Sequence, residues 1–175
     1  KDRNEKEAQH FMDNLTEYLN VPEGGEILDL ACGKGRHALY LNALGYHVTG
    51  VDLSPNSIAY AKQFENESLQ FRIHDMREPL LKKYHTIFNL FTSFGYFENK
   101  EDDIKTLIAI KESLSEYGFA VIDFMNSQVV IDNLIPEETK EVDGLTFHIK
   151  RFVKDDFIIK EIDFEDKGEQ FHFTE

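Results

Sequence analysis

Residues 27–36 read Ile-Leu-Asp-Leu-Ala-Cys-Gly-Lys-Gly-Arg, an apolar run that meets two glycines and continues into a helix-forming segment. This order of strand, tight turn and helix constrains the fold more than any other feature of the chain. Glycine admits positive φ and lets a ligand approach the backbone. The helix start beyond it offers unpaired N–H groups and a positive dipole end, suited to a carboxylate or phosphate. Gly33-x-Gly35-x-x-Ala38 also satisfies the pattern of dinucleotide-binding turns. The turn alone therefore leaves open an NAD site, another nucleotide site, or a tight turn with no ligand. Asp29 narrows the choice. It stands four residues before Gly33, where dinucleotide turns usually carry a small or apolar residue, and an acid there can hold a cation or an ammonium group. A second apolar run ends in Val51-Asp52. Asp52 follows Gly33 by 19 residues, the spacing at which an acid accepts hydrogen bonds from ribose hydroxyls.

The rest of the chain alternates in the same way. Apolar residues at three- and four-residue spacing predict a helix over 5–19, broken by Pro22 and Gly24–Gly25. Strands are expected at 26–30, 46–51, 69–74, 85–91 and 119–124. Helices are expected at 34–44, stopped by Gly45, and from Ser54, a capping residue followed by Pro55. A further helix over 101–114 should face inward through Ile104, Leu107, Ile108 and Ile110–Lys111. Alternating strands and helices imply an α/β fold, a Rossmann-like doubly wound, mostly parallel sheet with helices on both faces. The pattern changes near residue 126. A short helix at 128–135 and three strand-like runs within 144–174, separated by Asp155–Asp156 and Asp166–Lys167–Gly168, predict an antiparallel β meander. Two domains are expected, a cofactor-binding core over 1–126 and an appended cap over 127–175. The last run reaches Glu175 without an end signal, so a continuation is expected.

Charge limits the partners. Nineteen basic against 33 acidic side chains give a net charge of −14. Nucleic acid is disfavoured, because affinity for phosphate backbones rests on Lys and Arg. No run of about 18 apolar residues occurs, so no membrane span is expected, and no basic segment followed by an apolar core suggests a signal peptide. The lone Cys32 excludes an internal disulfide and fits a reducing compartment, the cytoplasm. The partner expected is a small molecule.

With these residues in view, the chain resembles the class I S-adenosylmethionine-dependent methyltransferases over about residues 5–126. Asp29-Leu30-Ala31-Cys32-Gly33-Lys34-Gly35 is similar to their first motif, Val51-Asp52-Leu53-Ser54 to the second, His74-Asp75-Met76-Arg77 to the third, and Phe88–Phe97 to their fourth-strand segment. The resemblance implies S-adenosyl-L-methionine as cofactor. Asp29, Ala31, Gly33, Gly35 and Arg36 would lie at its methionine part, Asp52 and Leu53 at the ribose, and Asp75 and Met76 at the adenine. Phe91, Thr92 and Ser93 would lie near the sulfur. Phe94 and Tyr96 would wall the acceptor pocket. Many members carry an acid where this chain has Asn89, and the usual last two strands of a seven-stranded sheet are not seen. The chain looks most like small-molecule methyltransferases with a β-rich insertion after the fifth strand. In such relatives an N-terminal arm closes over the cofactor, which brings Arg3 into consideration beside its reading as a solvated surface residue.

No catalytic residue is assigned. Cys32 is read as a small core residue, His37 as facing the cofactor side or solvent on the first turn of its helix with a catalytic role as the lesser reading, and His74 as a packing or capping residue. The other histidines lack metal-ligand spacing and no Cys pair exists, so no metal is expected. The Phe-rich meander is read as core or an interface, with a homodimer through it considered. Two alternatives stay open at this point: an NAD-binding oxidoreductase using the same turn, with Tyr96–Lys100 at formal Tyr-x-x-x-Lys spacing, and a non-catalytic nucleotide-binding protein.

Overall fold

The structure is a computed structural model that describes residues 5–91 and 93–175. It divides into two units, Lys1–Phe124 and Met125–Glu175.

The first unit holds α1 (Glu5–Tyr18), β1 (Glu26–Leu30), α2 (Arg36–Ala43), β2 (His47–Asp52), α3 (Pro55–Ala61), β3 (Leu69–Ile73), β4 (Tyr84–Asn89), α4 (Lys100–Ser113) and β5 (Leu114–Ile122). All five strands are parallel, in the order β3-β2-β1-β4-β5. The order reverses between β1 and β4, and open α/β sheets bind their ligands at the strand ends beside such a reversal. Strand residues alternate between two apolar clusters. Ile27, Val48 and Phe88 pack with α1–α3, through Met12, Leu41 and Ile58. Leu28, Val51 and Ile87 pack with Ile110 of α4. Ser54 caps α3 through its side chain and Pro55 starts the helix, as the sequence implied.

Helix α4 corrects one expectation. Ile104, Leu107 and Ile108 are about half exposed. The helix buries Thr106, Ala109, Ile110 and Ser113 instead. Three of these four are small side chains, and small side chains let a helix lie close on a sheet. Only Ile110 joins the apolar cluster. The helix also passes into β5 at Ser113–Leu114, five residues before the strand start expected from sequence. Gly118 does not interrupt this strand. A Cβ there would stand 2.9 Å from the Tyr84 carbonyl oxygen, so glycine permits the close approach of β4.

The second unit holds α5 (Ser127–Asp132) and four antiparallel strands: β6 (Glu137–Val142), β7 (Leu145–Lys154), β8 (Phe157–Asp166) and β9 (Glu169–Thr174). Sequence reasoning expected three strands and missed β6. Its sequence, Glu-Glu-Thr-Lys-Glu-Val, has no apolar alternation, and the strand is held by main-chain pairing to β7 from Glu137↔Lys150 to Val142↔Leu145. The three hairpin loops are Asp143–Gly144, Asp155–Asp156 and Lys167–Gly168, all six residues at positive φ. Two-residue loops of this kind match the right-handed twist of paired strands. Phe147, Phe164 and Phe171 lie in register across β7, β8 and β9 with ring centroids 4.9 Å apart, and form the apolar face.

Candidate functional site: the strand ends at the topological switch

Four strands deliver polar groups to one end of the parallel sheet. Asp29 sits on β1 directly beneath the glycine turn and is 2% exposed. Helix α2 has no side-chain cap at Gly35. The Ala38 N–H, one of the unpaired donors of its first turn, bonds to Asp29 instead. Burial pushes the Asp29 carboxyl up to about 7, and the nearby Asp52 adds to the rise, against the Ala38 hydrogen bond. Asp29 Oδ2 is buried without a hydrogen-bond partner among the described residues. An orphaned buried acceptor is costly unless something donates to it.

Asp52 closes the turn from the end of β2. Its Oδ2 accepts from Gly33 N at 2.8 Å and its Oδ1 from Ser54 N at 2.8 Å. One carboxylate thereby fixes both the glycine turn and the start of α3. Gly33 and Gly35 adopt φ +55° and +82°. A Cβ on Gly33 would meet nothing within 4 Å, so that side of the turn is open. A Cβ on Gly35 would lie 2.7 Å from the Phe71 ring. Ala31 takes φ 63° without being glycine, a strained conformation of the kind concentrated at ligand sites. Leu53, after Asp52, is 66% exposed.

Across the switch, Asn89 joins β4 to β1. It is fully buried, and its Nδ2 donates to the Leu30 carbonyl at 2.9 Å. Its main-chain oxygen accepts from Asp123 N at 2.9 Å, and the Asp123 carboxylate accepts from Phe91 N at 3.2 Å. Phe91 is thus held at φ 62°, a second strained residue facing the first across the switch. Ser93 Oγ donates back to the Leu90 carbonyl at 3.1 Å. The His37 ring stacks on Phe91 at 4.8 Å, and the Arg36 guanidinium lies 5.0 Å from the same ring.

The β3 exit carries Asp75, which Arg77 clamps at 2.6 Å and 3.0 Å through its guanidinium and at 3.0 Å through its N–H. Hydrogen bonds from Arg77 hold the Asp75 carboxyl down at about 2. Arg77 also reaches Asp102 at 2.9 Å and lies 5.1 Å from the Phe97 ring, so it ties this exit to α4 and to the loop after β4. Met76 packs against the α4-side cluster. Phe94 is half-buried and Tyr96 is exposed in that loop. Thr92 and Arg3 lie outside the described residues.

Sequence reasoning passed over Asp123 and Arg77. Asp123 had a signal, an acid just after an apolar strand, the same signature that marked Asp52. Arg77 had only its place two residues after Asp75. Cys32 is half-buried, and burial followed by Asp29 and Asp52 pushes its thiol up, which opposes a thiolate nucleophile. His74 bonds to the Glu78 carbonyl at 2.8 Å. No grouping of metal-binding side chains exists among the described residues, and no described helix is long and apolar enough to cross a membrane.

The residues present fit a nucleoside carrying an amino acid. An orphaned acid lies under an open glycine turn, carboxylates stand at the ends of β1 and β2 and just beyond β3, and an exposed apolar side chain sits beside the second. A family model described as a methyltransferase domain matches residues 27–118, more than half of the chain. The putative methyltransferase YqeM of Bacillus subtilis (strain 168) is 32% identical over 133 residues, covering 73% of this chain and 53% of that protein. The dTDP-3-amino-3,4,6-trideoxy-alpha-D-glucopyranose N,N-dimethyltransferase of Streptomyces venezuelae is 24% identical over 128 residues, covering 72% and 54%. The chain spans about half the length of these curated relatives. A crystal structure of an S-adenosylmethionine-dependent methyltransferase from Clostridium acetobutylicum ATCC 824 aligns with a TM-score of 0.78 at 22% identity, over 99% of this chain and 73% of that one, and carries the fold alone. None of these matches supports the dinucleotide-oxidoreductase alternative, and the chain belongs to the class I S-adenosylmethionine-dependent methyltransferases.

Proposed function

We propose that the protein transfers a methyl group from S-adenosylmethionine to a small molecule, with its cofactor in the crevice above β1, β2 and β4. The observation that carries this is the coupled pair Asp29 and Asp52. One acid has an orphaned buried oxygen under an open glycine turn, and the other fixes that turn by accepting from Gly33 N. In this reading Asp29, Ala31, Gly33, Gly35 and Arg36 hold the methionine part. Asp52 and Leu53 take the ribose, Asp75 and Met76 the adenine, and Phe91 and Ser93 line the sulfur. Phe94 and Tyr96 border the acceptor.

The bound cofactor supplies an activated methyl on a sulfonium, and a neutral thioether leaves. The protein's task is alignment, worth several orders of magnitude in rate when reacting atoms are held in line. Asn89 and Asp123 serve that task by fixing Phe91 against β1. A small-molecule acceptor is supported by the sugar substrate named for the Streptomyces venezuelae relative and by the net charge of −14. The cytoplasm is the proposed compartment, on the lone cysteine. Self-association through the Phe147–Phe164–Phe171 face is the proposed oligomeric contact. Incubation with S-adenosylmethionine and a panel of amino sugars and amines tests the function. Acceptor-dependent release of S-adenosylhomocysteine is expected, and a protein that binds the cofactor but never releases product with any of them contradicts it.

A further inference from the structure

A second recess lies beside the cofactor turn, and its charge is opposite to that of the chain. It occupies about 430 Å³ between α1, α2 and α3. Among the described lining residues the charged side chains are Lys34 and Arg36, with no carboxylate, although the chain carries 33 acids against 19 basic groups. Neither cation is in an ion pair among the described residues. Both rest on aromatic faces instead. Lys34 Nζ lies 5.3 Å from the Tyr60 centroid and the Arg36 guanidinium 5.0 Å from that of Phe91. Such contacts orient a cation without neutralising it. Tyr40, also on the wall, donates to Asp13 of α1 at 2.8 Å. Tyr60 and Phe64 complete the lining, with ring centroids 5.7 Å apart.

His37 belongs to its wall and stacks on Phe91, at the end of β4. A lysine on an aromatic face beside an aromatic wall defines a binding chemistry: a compact negative charge on an aromatic or apolar body. We propose that this recess binds an anionic group of the methyl acceptor, with Lys34 as counter-charge and Tyr60 and Phe64 as the ring wall. The word acceptor rests on the methyltransferase reading, whereas anion binding does not.

The test is a titration of the 175-residue chain, with and without saturating S-adenosylhomocysteine. Phenyl phosphate, benzoate and phenol are the probes, followed calorimetrically and by amide shifts around Lys34 and Tyr60. Phenyl phosphate or benzoate should bind in the millimolar range or tighter, with phenol at least about tenfold weaker. Which anion binds tighter separates a phosphate from a carboxylate acceptor. Lys34→Met should weaken the anion by about tenfold, the loss expected of one charge-assisted contact. Circular dichroism of the same variant reports that the chain is folded. The proposal is overturned by equal binding of phenol and the anions, by an unaltered Lys34→Met, or by displacement of the anions by S-adenosylhomocysteine, which would assign Lys34 to the cofactor's own carboxylate. A chain that fails to bind S-adenosylhomocysteine sinks the methyltransferase reading, and the anion titrations then decide the recess alone.

Discussion

Asp29 is a carboxyl group placed where water cannot reach it, with the Ala38 N–H at the start of α2 bonded to it and no hydrogen-bond partner for Oδ2 among the described residues. Burial pushes its carboxyl up to about 7 in the folded chain, above the ordinary range of about 4 for an exposed aspartate. The folded chain therefore holds a proton that the unfolded chain releases, and stability falls as pH rises from about 4 through 7. Asp29→Asn keeps an acceptor for Ala38 N–H and removes the buried charge. It should flatten that fall and raise stability at pH 8 by a few kcal/mol, read from urea melts at pH 5 and 8. Unchanged pH dependence would contradict the burial argument. Gly35 is a second residue-scale test. Gly35→Ala places a Cβ at φ +82° and 2.7 Å from Phe71. The left-handed conformation alone costs about 1–2 kcal/mol, and the ring contact adds to it, so a loss of at least 2 kcal/mol is expected by chemical denaturation. Both residues were legible in the sequence as parts of one motif. The role of Asp29 as the cap of α2 was not, because capping normally comes from the residues just before a helix. Here it comes from the strand beneath.

Between elements, the decisive link is the one across the switch. β1 and β4 pair over only Ile27–Asp29. Beyond that, Asn89 carries the connection through Leu30 O. Asn89→Leu keeps the volume and leaves the Leu30 carbonyl buried and unpaired, at a cost of about 1–3 kcal/mol. It should also release Phe91, so S-adenosylhomocysteine affinity should fall together with melting temperature. Stability lost without any change in affinity would separate Asn89 from the site. The element pattern was legible wherever burial imposed a period: β1, β2 and β4 lie in the core as apolar runs, and the edge strand β3 buries Leu69 and Phe71 in alternation. It failed where burial was absent. β6 is mostly exposed, and its only sequence cue was Asp143–Gly144, a two-residue hairpin signal. On α4 the large apolar residues misled, because Thr106, Ala109 and Ser113 make the close approach.

For the whole molecule, the division at Phe124–Met125 separates a parallel sheet that carries every proposed cofactor residue from an antiparallel sheet that carries none. Phe164 stands at the centre of the second sheet's rings, 4.9 Å from Phe147 and from Phe171. Phe164→Ala should destabilise that sheet by about 2–4 kcal/mol, below the fully buried range because the side chain is part exposed. It should leave S-adenosylhomocysteine affinity within about twofold. A large loss of affinity would show that the second unit helps to build the cofactor site. The overall architecture was legible because strand–helix alternation admits few topologies. The division of labour between the carboxylates was not, since it depends on which donors the fold brings to each one.

The central claim is that Asp52 organises a site for S-adenosylmethionine, and calorimetric titration of S-adenosylhomocysteine into the wild-type chain and Asp52→Ala tests it most directly. The wild type should bind one equivalent. The variant, checked as folded by circular dichroism, should bind at least about tenfold more weakly, the loss of a charge-assisted hydrogen-bond acceptor. Undiminished affinity in a folded Asp52→Ala chain would contradict the account.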